Sequence, residues 1–77
     1  MTLYDCSKNI PYKVVALHTT DKILKDRLIA MGICPDSTIT LHHTTLTKAT
    51  LCVMVNSTQI ALRAQEAKEI EVSPEIS

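Results

Sequence analysis

Seventy-seven residues with eight basic and eight acidic side chains carry no formal net charge. That balance lacks the positive footprint of a nucleic-acid binder, and two tyrosines with no Phe or Trp leave no base-stacking platform. A chain this short reads as a single domain, residues 1–77, with an aliphatic core and no room for a deep substrate cavity.

The three cysteines, Cys6, Cys34 and Cys52, are odd in number, widely spaced and form no CxxC pair. They read as reduced thiols rather than a disulfide framework. No secretory leader is legible, and no apolar run is long enough to span a bilayer. The expected location is the cytoplasm.

Residues 12–17 read as a first strand, with Pro11 marking its start or an edge. Thr19, Thr20 and Asp21 then offer N-cap oxygens. From 21 to 31, Leu24, Leu28 and Met31 recur at helical spacing with Ile23 alongside, while Lys22, Lys25 and Asp26 fall on the other side. The pattern predicts a helix with one buried stripe. The sole glycine, Gly32, follows that stripe and precedes Pro35. It fits a left-handed C′ position, from which Ile33 folds back onto Leu28.

After Pro35 and Asp36 the period changes to two. Ile39 and Leu41 face one way, with His43 next in phase, and Thr38, Thr40 and His42 face the other. Residues 44–49 form a polar connection. Leu51, Val53 and Val55 alternate with Thr50, Cys52 and Met54, and Asn56-Ser57 makes a tight turn. Ile60 and Leu62 continue the apolar phase on a third strand of an antiparallel meander. A helical turn around 64–67, a last strand at Ile70-Glu71-Val72 and a frayed 73–77 complete the chain.

The fold class is therefore mainly β: a small barrel of about five strands, with one α-helix inserted after the first and a short helical turn before the last. Its expected core is Leu24, Leu28, Met31, Ile39, Leu41, Leu51, Val53, Val55, Ile60, Leu62 and Ile70.

No Ser-His-Asp order, paired-carboxylate motif, P-loop or glycine-rich phosphate cradle occurs, so no catalytic or cofactor-binding residue is assigned and no enzyme is expected. With the hairpin loop centred near Thr47, His42 stands opposite Cys52 and Thr40 opposite Met54, all facing outward. Imidazole, thiol and thioether suit a soft or borderline metal, but a structural site needs a fourth well-placed ligand. The patch reads as an exposed strand face, and no metal ligand is assigned. His42 and His43 point opposite ways along a regular strand and form no chelating pair. His18 reads as a strand-end residue. Arg27 and Arg63 border apolar runs at element ends, where a guanidinium bonds free carbonyls or pairs with Glu66. The candidate partner-binding residues are Cys52, Met54 and His42 on the outward face, with Cys34 and Pro35 in the loop after Gly32 as the second choice.

Two strings carry a family resemblance. Arg27-Leu28-Ile29-Ala30-Met31-Gly32-Ile33-Cys34-Pro35 resembles the R-L-x-x-M-G-[IL]-x-P-G string of the FeoA family. Ile60-Ala61-Leu62-Arg63-Ala64-Gln65-Glu66-Ala67-Lys68-Glu69-Ile70-Glu71-Val72 resembles its [IL]-[AS]-L-R-x-x-[EL]-A-x-x-I-x-V ending. The likeness extends from Leu3 to Val72. It implies an SH3-like barrel and a cytosolic accessory protein of bacterial ferrous-iron uptake. The implied partner is the cytosolic GTPase region of the transporter FeoB, through which alone the protein meets a membrane. The family has no established catalytic residues to carry over.

The departures are specific. Asn9, Asp36 and Asn56 stand where glycine is common in the family, and Asn and Asp best tolerate left-handed geometry, so these turns are expected to survive. Cys6 stands where leucine is frequent, which suggests a buried small hydrophobe. Residues 44–49 lack the family's usual Gly and Pro. The alternative function is a stand-alone metal-responsive module, since the same barrel forms the C-terminal part of iron-dependent repressors. No cofactor is expected, and oligomeric state, a homo-oligomer included, is left open.

Overall fold

The computed structural model describes residues 1–75. A 3-10 turn at Leu3–Asp5 leads to strand β1 (Pro11–Leu17), helix α1 (Lys22–Ala30), strands β2 (Thr38–Thr44), β3 (Thr50–Val55) and β4 (Thr58–Arg63), the helical turn α2 (Ala64–Ala67) and strand β5 (Ile70–Pro74). All strand pairs are antiparallel, in a 5-stranded sheet of order β4-β3-β2-β1-β5. The expected sequence of elements is thus present, with the inserted helix and the turn before the last strand. β5 runs through Ser73 and Pro74, and the Glu75 carboxylate accepts from the Thr38 hydroxyl at 3.1 Å, so the frayed ending does not begin at 73. Residues 76 and 77 of that expectation lie outside the described residues.

The helix ends follow from single side chains. The Asp21 carboxylate accepts from the Ile23 and Leu24 N–H groups at 3.0 and 3.2 Å, satisfying two of the free donors of the first turn. At the other end, the Ile33 N–H donates to the Leu28 carbonyl at 2.9 Å and the Gly32 N–H to that of Ile29 at 3.0 Å. This is the Schellman arrangement, with Gly32 at φ +93°. The stripe is narrower than expected. Leu28 is fully buried, whereas Leu24 and Met31 are only partly covered against the core. One residue of the stripe, Leu28, therefore reaches the interior.

Ile39, Leu41, Leu51, Val53, Val55, Ile60, Leu62 and Ile70 are all buried, which settles the strand phase as expected. Leu3, Tyr12, Val14, Ile33, Ala67 and Val72 join them. Leu3 is buried because the N-terminal segment lies along β5: Thr2 bridges to Glu71, and the Val72 N–H donates to the Met1 carbonyl at 2.9 Å.

Asn9, Asp36 and Asn56 adopt φ of 62°, 76° and 50°, the left-handed geometry expected at each. Ser57 follows at 67°, so the two-residue turn between β3 and β4 has positive φ at both positions, as a type I′ hairpin demands. In the connection between β2 and β3, the Thr45 hydroxyl accepts from the Ala49 and Thr50 N–H groups at 3.1 and 3.3 Å. Lys48 takes φ 58° there, so this loop closes through a threonine hydroxyl without Gly or Pro.

Cys6 is buried, with 7% of its surface exposed. Burial, reinforced by the Asp5 carboxylate, pushes its thiol up from the ordinary 9.0 to about 11. The folded chain therefore keeps a proton that the unfolded chain releases. This contribution to stability is intact below pH 9.0 and is lost as pH rises toward about 11. Unfolding curves across that window are expected to show a loss that Cys6→Ala removes. Iodoacetamide is expected to alkylate native Cys6 more slowly than Cys34 or Cys52, as read by mass spectrometry.

Candidate functional site

The strand phase that buries Leu51, Val53 and Val55 turns Cys52 and Met54 outward, where both are half-buried between neighbouring strands. Met54 lies between Thr40 of β2 and Gln59 of β4. Cys52 lies between His43 of β2 and Ala61 of β4. These rows form a sheet face with no formal charge apart from any protonated imidazole. Arg63, opposite Thr50, borders it at one end.

The pairing of Thr40 with Met54 is the one expected, but that of His42 with Cys52 is not. The register slips between Leu41 and His43, so that His43, not His42, is the Cα partner of Cys52. His42 is the extra residue of a β-bulge, so that two histidines of β2 occupy the register position of one residue of β3. The alternation of His42 and His43 expected of a regular strand fails there. Among the described residues no three His, Cys, Asp or Glu side chains come together as metal ligands.

Cys34 and Pro35 are not part of this face. Their loop is tied to the other neighbour of β2: the Asp36 N–H donates to the Val14 carbonyl of β1 at 2.8 Å, and the Val14 N–H to that of Ser37 at 2.8 Å. The Cys34 Sγ lies 3.2 Å from the Ser37 hydroxyl, and Pro35 is exposed. The structure thus separates the two sets of candidate partner-binding residues.

The remaining polar candidates are distributed as follows. His18 ends β1 as expected and contacts the Glu71 carboxylate of β5. Glu66 bonds to Arg63, but through the Arg63 backbone N–H at 2.8 Å and not through the guanidinium, making the α2 cap. Tyr4, which the sequence reading passed over, has Lys48 Nζ at 4.2 Å and Lys68 Nζ at 4.7 Å from its ring centroid. No spacing rule links these positions; only the packing of the N-terminal turn beside α2 brings them together. Among the described residues, no helix is long and apolar enough to cross a membrane.

Five antiparallel strands with one inserted helix define a small, mainly β class of domain. Comparison with known proteins narrows it: the FeoA domain model matches residues 1–74, and the chain belongs to the FeoA family. A Helicobacter pylori (strain J99) protein named as an Fe(2+) transport protein A is 38% identical over 68 residues, covering 88% of this chain and 87% of that protein. The crystal structure of Stenotrophomonas maltophilia FeoA with zinc, described as a prokaryotic SH3 domain protein, superposes with TM-score 0.83 at 24% identity, covering 95% of this chain and 89% of that one. A manganese-dependent transcriptional repressor in complex with manganese superposes with TM-score 0.86 at 19% identity, covering 96% of this chain and 36% of that one. These structural likenesses establish the SH3-like fold.

Proposed function

We propose that this chain is a cytosolic accessory protein of bacterial ferrous-iron uptake. It acts by docking on the cytosolic GTPase region of FeoB and performs no chemistry of its own. The observation that carries the reading is the family match over residues 1–74, together with a relative named for Fe(2+) transport. The outward face around Cys52 and Met54 is the proposed contact, with His42 at its bulged edge. An uncharged, half-apolar strand face is a surface that a partner covers at little desolvation cost.

Cys52→Ser combined with Met54→Lys is expected to weaken association with the purified FeoB GTPase domain about tenfold or more by titration calorimetry. The thermal midpoint should change little, because both side chains point away from the core. Full affinity in the double variant would move the contact to the Cys34–Pro35 loop. Absence of binding by the unaltered protein would refute docking itself.

A second reading, a stand-alone metal-responsive module, is favoured by the likeness to the manganese-dependent repressor. One-to-one uptake of ferrous ion or zinc by the isolated chain, lost in Cys52→Ser, would support it over docking alone.

A further inference from the structure

We propose that the cleft between α1 and α2 binds a short acidic segment of a partner protein that carries an apolar residue beside its carboxylate, with Arg27 and Arg63 as the carboxylate anchors. The cleft is open to solvent and offers about 580 Å³, and its walls include Ile23, Leu24, Arg27, Arg63, Glu66 and Glu69. Both arginines are exposed. Among the described residues neither guanidinium pairs with a carboxylate, since the one ion pair is that of His18 with Glu71.

The other charges of the cleft are mostly engaged. Asp21 caps α1 with bonds of 3.0 and 3.2 Å, Glu66 caps α2 with one of 2.8 Å, and Lys68 lies over the Tyr4 ring. The lining thus carries three basic and three acidic side chains, and the two guanidiniums are the cations with neither an ion pair nor a ring contact among the described residues. A guanidinium presents a fork of donors matched to a carboxylate, and two of them on one cleft hold an acidic side chain in a defined direction.

Apolar complementarity comes from α1. Ile23 is 75% exposed on the wall of the same cleft, with half-buried Leu24 beside it. An aliphatic or aromatic residue next to the ligand's carboxylate covers this surface. A free phosphate fits less well, because it has no apolar part to cover the exposed Ile23 side chain. The apolar wall therefore favours a peptide over free phosphate.

The test is a random peptide library displayed on phage, selected against the unaltered chain and counter-selected against the double variant Arg27→Ala/Arg63→Ala. The pool is expected to converge on Asp or Glu adjacent to an aliphatic or aromatic residue. A synthetic peptide from that pool should shift the backbone amide resonances of Ile23, Arg27, Arg63 and Gln65. Its affinity should fall about tenfold or more in Arg27→Lys or Arg63→Lys, which keep the charge and lose the fork, and when its carboxylate is replaced by an amide. Unchanged thermal midpoints in the lysine variants separate this loss from unfolding. A pool without acidic residues, no enrichment over the counter-target, or binding indifferent to both arginines would overturn the proposal. So would inorganic phosphate that binds the cleft more tightly than the peptide. No transporter domain enters the selection, so its outcome is independent of docking on FeoB.

Discussion

Replacing Gly32 by valine is expected to lower the unfolding free energy by on the order of 1–3 kcal/mol, and the thermal midpoint by on the order of 10 °C. Two separate effects act at this position. At φ +93° a β-branched side chain clashes with its own backbone. A Cβ built there also meets the Asn56 Nδ2 at 2.9 Å and the Val55 Cγ1 at 3.4 Å. The end of α1 thus lies against the β3–β4 turn, but the Asn56 amide is the far end of an exposed side chain that can turn aside, so the conformational cost is the larger of the two. Asn56→Gly removes the nearer side chain and keeps the left-handed turn. Gly32→Ala in that background should recover part of the loss and leave the conformational part. Denaturant titrations with unchanged midpoint and slope for Gly32→Val would refute the left-handed cap.

Leu28→Ala should cost more, about 2–5 kcal/mol, the range for deleting a fully enclosed leucine. Leu28 is fully buried and is the residue through which α1 enters the core. Its carbonyl also receives the Ile33 N–H, so the side chain that seats the helix and the bond that ends it belong to one residue. In a chain of this size the loss is about half of the whole stability, roughly 5–10 kcal/mol. Equilibrium denaturation should therefore show a strongly lowered midpoint. Leu24→Ala, at a partly covered site, should cost clearly less. Equal costs would mean that the stripe shares its burial evenly, contrary to the structure.

The features legible in the sequence were those governed by a local period or a local cap. Strict alternation from Leu51 to Val55 admits one register relative to the core, and Asp21, Gly32 and Asn56 each fix a chain reversal or helix end through their own chemistry. The bulge at His42 was not legible. It inserts one residue after Leu41, where the strand turns polar at His42, His43 and Thr44 and neither hydrophobic phase nor a glycine marks the slip. The burial of Leu3 was hidden for a different reason: it depends on pairing with β5, which no local pattern announces. The cleft between α1 and α2 likewise joins residues that are distant in sequence. Arg27 and Arg63 could be singled out one by one, but their presence on a common cleft required the fold.

The pairing of β1 with β5 sets the order in which the molecule can be made. β1 is hydrogen-bonded on one side to β2 and on the other to β5, with Tyr12 opposite Pro74 and Leu17 opposite Ile70. A nascent chain displaying α1 and the β2–β3–β4 meander still lacks the strand that covers the far edge of β1. Non-local pairing of this kind delays folding, because loop closure must precede the contacts that reward it. Folding is therefore expected to wait for synthesis of residues 70–74, with the meander exposed on the ribosome until then. A stalled chain ending before Ile70 should be cut readily by protease, whereas one extended beyond Pro74 by a linker long enough to clear the exit tunnel should resist.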